Sequence, residues 1–182
     1  METERLIGTR PLLRDADELH PILADPRVAQ WIWPGTRGGP RSLPQVRTLL
    51  VRDAAHWKRH GYGPWVVRDH ATRAVVGRAG LSRTVVDGRD EVGVDWLIAA
   101  DRWNEGLATE IARAAVRHAF EDLSLPDLVA ETLPHNAASR AVMERCGFVY
   151  EADVEKAGLP HVLYRLRSWS AAVGEVGARR AR

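Results

Sequence analysis

Apolar and polar positions alternate along PWVVRDH, AVVGRAGLSRTVV and EVGVDWLIA, three runs separated by the turn signals ATR and DGRD. Period-two runs joined by short polar turns predict consecutive strands of an antiparallel meander. Downstream the rhythm changes. Leu107, Ala108, Ile111, Ala112, Ala115, Val116, Ala119 and Phe120 recur at helical spacing, which predicts a helix with a small-residue face for a sheet and a charged face for water. DLVAETL then reads as a strand, and NAASRAVMERCGF as a helix capped by Asn136 and stopped by Gly147. FVYEADVEKAGLPHVLYRLRSW predicts two more strands around a Gly-Pro turn.

Upstream, Leu6 to Arg14 predicts a first strand interrupted by Gly8 and Pro11, and DADELHPIL a short helix with an Asp at its mouth. DPRVAQWIWPGTRGGPR mixes helix-like and turn-like signals, and its glycines and prolines mark a loop. Ser42 and Gln45 form a capping box for LPQVRTLLVRDAAHWKRHG, a helix stopped by Gly61. The sum is one α+β domain over residues 1–169, with a mixed, mainly antiparallel twisted sheet of about six to seven strands and about four helices. A strand-helix-strand unit is embedded around WNEGLATE; its two strands must be parallel neighbours and its helix must pack on the sheet. Residues 170–182 are expected to form a flexible tail.

Composition narrows the partners. With 182 residues, 45% of them hydrophobic and 27% charged, the chain can bury a real core. Net charge is only +2 although the pI is near 9.0, so no nucleic-acid partner is expected; the terminal ARRAR reads as a solvated tail. No apolar run could cross a bilayer, and METERLIGTR lacks a signal-peptide core, which predicts a cytoplasmic protein without a membrane partner. The single Cys146 permits no internal disulfide and no thiolate metal cluster. His56 and His60 lie one helical turn apart without the Glu and third ligand of a zinc helix, so no metal is expected.

The stretch WNEGLATE places Gly106 at the mouth of a helix directly after a strand. Bare amides and a partial positive charge at a helix start suit a phosphate, and glycine lets the ligand approach the backbone. An ordinary tight connection explains the same residues, and neither a Gly-Lys-Ser/Thr loop nor the spaced glycines of a dinucleotide site is present. Trp103-Asn104-Glu105-Gly106-Leu107-Ala108 resembles the Gln/Arg-x-x-Gly-x-Gly/Ala loop of the GNAT superfamily of acyl-CoA N-acetyltransferases. Trp103 in place of Gln or Arg, followed by Thr109-Glu110, resembles its Rim-type (RimJ/RimL-like) branch, which acetylates ribosomal-protein N-termini and other amines. TERLIGTRPLLRDADEL, WKRHGYGPWVVRDHATRAVVGRAGL and NAASRAVMERCGFVYEAD are similar to that branch in the same order.

The resemblance implies acetyl-CoA as donor, with no metal, and direct transfer to a primary amine of a protein N-terminus or a small molecule. It places the pantetheine arm along Trp96, Leu97 and Ile98, the pyrophosphate on the amides of Asn104, Glu105, Gly106, Leu107, Ala108 and Thr109 behind Trp103, and Asn136 nearby. An N–H near Leu97 could stabilise the oxyanion. The Tyr that many members use to protonate the thiolate is replaced by Met143, and in the Rim-type branch Ser139 takes over; a polar residue bonding the backbone near the Asn136 cap is the competing account. As general base Glu91 is favoured, with Asp95 and Glu131 as rivals; alternation along EVGVDW sets Glu91, Gly93 and Asp95 on one face, opposite Val92, Val94 and Trp96. Trp31, Trp33 and Tyr62 are candidates for the acceptor site. A homodimer is common in the branch. The alternative function is a catalytically weak acyl-CoA-binding sensor or interaction module, which the missing Tyr would suit.

Overall fold

Seven strands form one sheet in the order β1-β2-β3-β4-β5-β7-β6, described in a computed structural model over residues 1–33 and 38–168. Residues 34–37, the end of the expected domain at Trp169 and the expected tail over 170–182 lie outside the described residues. The strands are β1 (Leu6–Thr9), β2 (Pro64–Asp69), β3 (Val75–Val86), β4 (Arg89–Ile98), β5 (Asp127–Thr132), β6 (Val149–Lys156) and β7 (Leu159–Arg167). The helices are α1 (Ala16–Ala24), α2 (Pro26–Ile32), α3 (Leu43–His60), α4 (Leu107–Arg117) and α5 (Ala137–Arg145). Every neighbouring pair of strands is antiparallel except β4 and β5, which are the parallel pair of the strand-helix-strand unit.

Five α-helices, not four, are present among the described residues, because part of DPRVAQWIWPGTRGGPR folds as α2. The Asp25-Pro26 pair that looks like a turn signal is a helix start: the Asp25 carboxylate accepts the Arg27 N–H, and Pro26 occupies the first helical position. The last hairpin also turns differently. Ala157 and Gly158, with φ of 49° and 76°, make the turn, and Pro160 already lies in β7. The capping box holds, with the Ser42 N–H donating to Gln45 at 2.9 Å, and Gly61 ends α3 at φ 75°.

Successive residues of a strand point to opposite faces, and the core divides accordingly. Val66 and Leu97 join Leu19, Leu23, Val46 and Leu50 of α1 and α3 in one cluster. Their chain neighbours Val67 and Ile98 join Leu6 and, from α4, Leu107 and Ile111. Ala115, Met143 of α5, Leu81, Val94, Leu128 and Ala130 continue that second face beneath the parallel junction. Ion pairs dock the first face: Arg68 on β2 holds Asp15 and Glu18, and Arg78 on β3 spans Asp53 of α3 and Asp95 of β4.

The start of the chain is tied to α4 by Glu110. Its Oε1 accepts from the Thr3 hydroxyl at 2.6 Å and the Arg5 N–H at 2.9 Å, while Oε2 accepts from Arg5 Nε at 2.7 Å. Burial pushes this carboxyl up, but those donors outweigh it and hold it below the ordinary carboxylate range. A depressed pKa gives stability that is fully present above the ordinary value and lost as pH falls through the depressed one. Glu110→Gln is therefore expected to destabilise by about 1–2 kcal/mol at neutral pH. The gap from wild type should shrink below about pH 4.5 as the wild-type carboxyl protonates, checked by chemical denaturation across pH.

Candidate active site

β4 and β5 run parallel but pair only at Gly93 and Val129 among the described residues. β4 stays paired with β3 out to Ile98, and β5 stays paired with β7 out to Thr132, so beyond Gly93 the two strands part and the β4 edge from Val94 to Ile98 has no strand partner. Below the parting, Arg165 of β7 reaches across the junction. Its guanidinium bonds Glu91 of β4 at 2.9 and 3.1 Å, Asp127 of β5 at 3.2 Å and Glu151 of β6 at 2.5 and 3.0 Å.

The gap opens into a cavity of about 900 Å³. At one end lies the WNEGLATE loop. Asn104 and Gly106 both adopt the left-handed conformation, with φ of 66° and 81°, and Trp103 Nε1–H donates to the Ile98 carbonyl at 2.8 Å, folding the loop back onto the end of β4. From the other side, Arg5 Nη1 donates to the Glu105 carbonyl at 2.8 Å. The first helical bond of α4 runs from the Glu110 N–H to the Gly106 carbonyl, so the N–H groups of Leu107, Ala108 and Thr109 have no intrahelical acceptor. Three of the other helices meet this need with a side chain: Asp25 serves α2, the Ser42/Gln45 box α3, and the Asn136 amide oxygen α5. Gly106 has no side chain to offer, so the α4 amides are left uncapped, a geometry that suits an anion.

Most of the residues expected at the site line this one cavity. Trp96, Leu97, Ile98, Trp103, Asn104, Gly106, Leu107, Ala108, Thr109, Asn136, Ser139 and Trp31 do so; Glu105, Glu91, Trp33 and Tyr62 are not among the lining residues. The Glu105 carboxylate is turned to Arg102 at 2.8 Å. Glu91 has both oxygens on Arg165 and is 11% exposed. Trp33 packs beside α1 and α3 with the Arg41 guanidinium 4.2 Å above its ring. Tyr62 is buried with Trp57 and Trp65, its ring against His56. Cys146 packs near the Thr109 carbonyl, and burial pushes its thiol up, partly offset by the charge of Arg113.

On the α3 side of the sheet the cavity wall carries Asp95 and Glu131, the two carboxylates named as rivals to Glu91. Asp95 is committed to Arg78 at 2.8 Å and Ser82 at 3.2 Å. Glu131, level with Asp95 across the gap, pairs with Lys156 at the end of β6. Lys156, His161 and His135 line the cavity without having been singled out in the sequence. His161 is buried, and its Nδ1 lies 3.0 Å from the Leu159 carbonyl; a carbonyl only accepts, so Nδ1 carries the proton. His135 packs against Trp31 with ring centres 5.6 Å apart and planes tilted by 46°, so α2 and the turn before α5 meet at the cavity. Alternation along PHVLYR could have set His161 on a face with Leu163 and Arg165, but the β5-β7 adjacency that brings it here is not a local property. Among the described residues no three His, Cys, Asp or Glu side chains cluster as metal ligands, and no helix is long and apolar enough to cross a membrane.

The family model described as an acetyltransferase (GNAT) domain matches residues 5–149. The N-acetyltransferase p20 of Bacillus licheniformis is 28% identical over 163 residues, covering 85% of this chain and 86% of that protein. An acetyltransferase crystal structure from Agrobacterium tumefaciens is 27% identical, with a TM-score of 0.77 over 92% of this chain and 94% of that one. RimL, a ribosomal L7/L12 alpha-N-protein acetyltransferase solved with coenzyme A, shares the fold at 16% identity, with a TM-score of 0.73 over 91% of this chain and 95% of its own.

Gly106 gives the sharpest test of the anion site. Any side chain there is strained at φ 81°, by roughly 1–2 kcal/mol, and a Cβ would meet Arg5 Nη2 at 3.6 Å. Gly106→Ala should show that strain with modest loss of CoA affinity, whereas Gly106→Glu should abolish binding by setting an anion against the amides. Isothermal titration with CoA separates the two, and equal affinities would remove the loop from the site.

Proposed function

This chain belongs to the GNAT acetyltransferase family, and from that premise we propose that it moves an acetyl group from acetyl-CoA directly to a primary amine, in the manner of the Rim-type branch. The observation that carries the reading is that a single cavity joins the uncapped amides of α4 to the unpaired edge of β4 and to carboxylates on the far face of the sheet. The amides of Asn104 to Thr109 receive the diphosphate, and the edge at Trp96, Leu97 and Ile98 receives the amide-bearing arm as another strand would be received. Bound acetyl-CoA supplies a thioester. A backbone N–H near Leu97, on the parted edge of β4, stabilises the oxyanion that forms at the thioester carbonyl. Holding donor and amine together in the gap removes much of the entropic barrier, on the order of 7–11 kcal/mol in well-oriented cases.

The attacking amine must shed a proton, at a pKa near ~8 for an N-terminus and ~10.4 for a lysine-like amine. We assign this proton to Glu131, not to Glu91, since Glu131 lines the gap while Glu91 is spent on Arg165. Ser139 returns a proton to the thiolate. Asn136 positions it: the Asn136 amide oxygen accepts the Ser139 N–H at 3.1 Å, which fixes the first turn of α5 at the cavity wall. Met143, seven residues after Asn136, lines the same wall and has no proton to give. The ribosomal-protein substrate named for RimL supports a protein N-terminus as the first acceptor to try.

A steady-state thiol-release assay against N-terminal peptides and small amines tests the reading. Ser139→Ala and Glu131→Gln should each lower kcat by about 10²-fold or more, with the acetyl-CoA KM little changed. Wild-type rates in both variants would remove these residues from the chemistry. Tight acetyl-CoA binding with no thiol release above hydrolysis for any acceptor would instead favour the sensor.

A further inference from the structure

The chain contains 24 arginines and only two lysines, Lys58 and Lys156. Lys58 is exposed on α3. Lys156 ends β6, lines the cavity and is ion-paired through Nζ with Glu131. Glu131 follows Val129 by two residues, so it borders the gap where β4 and β5 have parted, on the face opposite Leu128 and Ala130, and its side chain is only 16% exposed. Lys156 thus presents a primary amine of the chain itself to the carboxylate that any incoming amine must meet. An arginine would satisfy the same charge, yet its guanidinium stays protonated and would be no nucleophile.

Resting on the acetyl-CoA reading above, we propose that Lys156 is an intramolecular acceptor, acetylated at Nζ by the acetyl-CoA bound in this cavity. Glu131 takes one proton from the ammonium. The Nζ lone pair then attacks the thioester carbonyl, the N–C bond forms, and the C–S bond breaks as the tetrahedral adduct collapses. The departing thiolate takes up the second proton that Nζ gives up, through Ser139, and Glu131 passes the first to solvent. The products are a neutral amide at Lys156 and free CoA thiol. Loss of the ammonium also dissolves the ion pair, so the modified chain offers Glu131 to an external amine.

The test uses the full chain with acetyl-CoA carrying an isotopically labelled acetyl group, read by peptide mass spectrometry, alongside calorimetric titration with CoA. Label should enter Lys156 about 100-fold or more faster than Lys58, as expected of a positioned group, at a first-order rate independent of protein concentration. Lys156→Arg should leave only the slow background at Lys58. If CoA binds while Lys156 gains label no faster than Lys58, or if the rate scales with protein concentration, intramolecular acetylation is wrong and the cavity reading stands. If CoA produces no binding heat and Lys156 no label, both fall together.

Discussion

Everything at the site follows from how briefly two parallel strands touch. Among the described residues, Gly93 and Val129 form the one backbone pair that joins the antiparallel strands β1 to β4 to the three strands β5, β7 and β6. Unpaired backbone inside a protein is costly, so a long parting edge must be held open by something else and must find other partners. The holding is done from both sides. Leu128, Ala130, Val94, Leu81 and Met143 fill the space beneath the junction, and Arg165 draws carboxylates of β4, β5 and β6 onto one guanidinium just below the parting. The edge of β4 beyond Gly93 is left without a strand partner among the described residues.

The loop at the other end obeys the same logic of groups left unmet. Trp103 and Arg5 each spend a hydrogen-bond donor on backbone carbonyls, one at Ile98 and one at Glu105, and so fix the direction in which the α4 amides face. Glu110 holds Arg5 in place to do so. The Thr109-Glu110 pair therefore has a structural explanation in this chain, with Glu110 belonging to the scaffold that aims the loop.

Local patterns made much of this legible. The meander, the capping box, the two later helices and the Gly106 loop all depend on residues within a few positions of each other, and each is found where its period or cap predicts. Asp25-Pro26 misled because the same pair serves a turn and a helix start, and only the packing of Val28 and Ala29 into the core decides between them. Glu91 shows a different limit. Alternation along β4 set it on the correct face with Asp95, but its height along the strand relative to Gly93 depends on where β5 pairs, and four positions separate Glu91 under the clamp from Asp95 in the cavity. Lys156 and His161 were out of reach for the same reason, since they arrive through the order β5-β7-β6, which no spacing in the chain encodes.

The indole at the head of the loop has a kinetic side as well. Trp103 is neutral, and the neighbouring guanidinium of Arg102 is already neutralised by Glu105 and Asp69. An anion docking on the α4 amides meets dipoles whose pull fades within a turn of the helix, unlike a cationic side chain whose field reaches about 10 Å at moderate salt. With a net charge of only +2, the chain as a whole adds little long-range pull to those short-range dipoles.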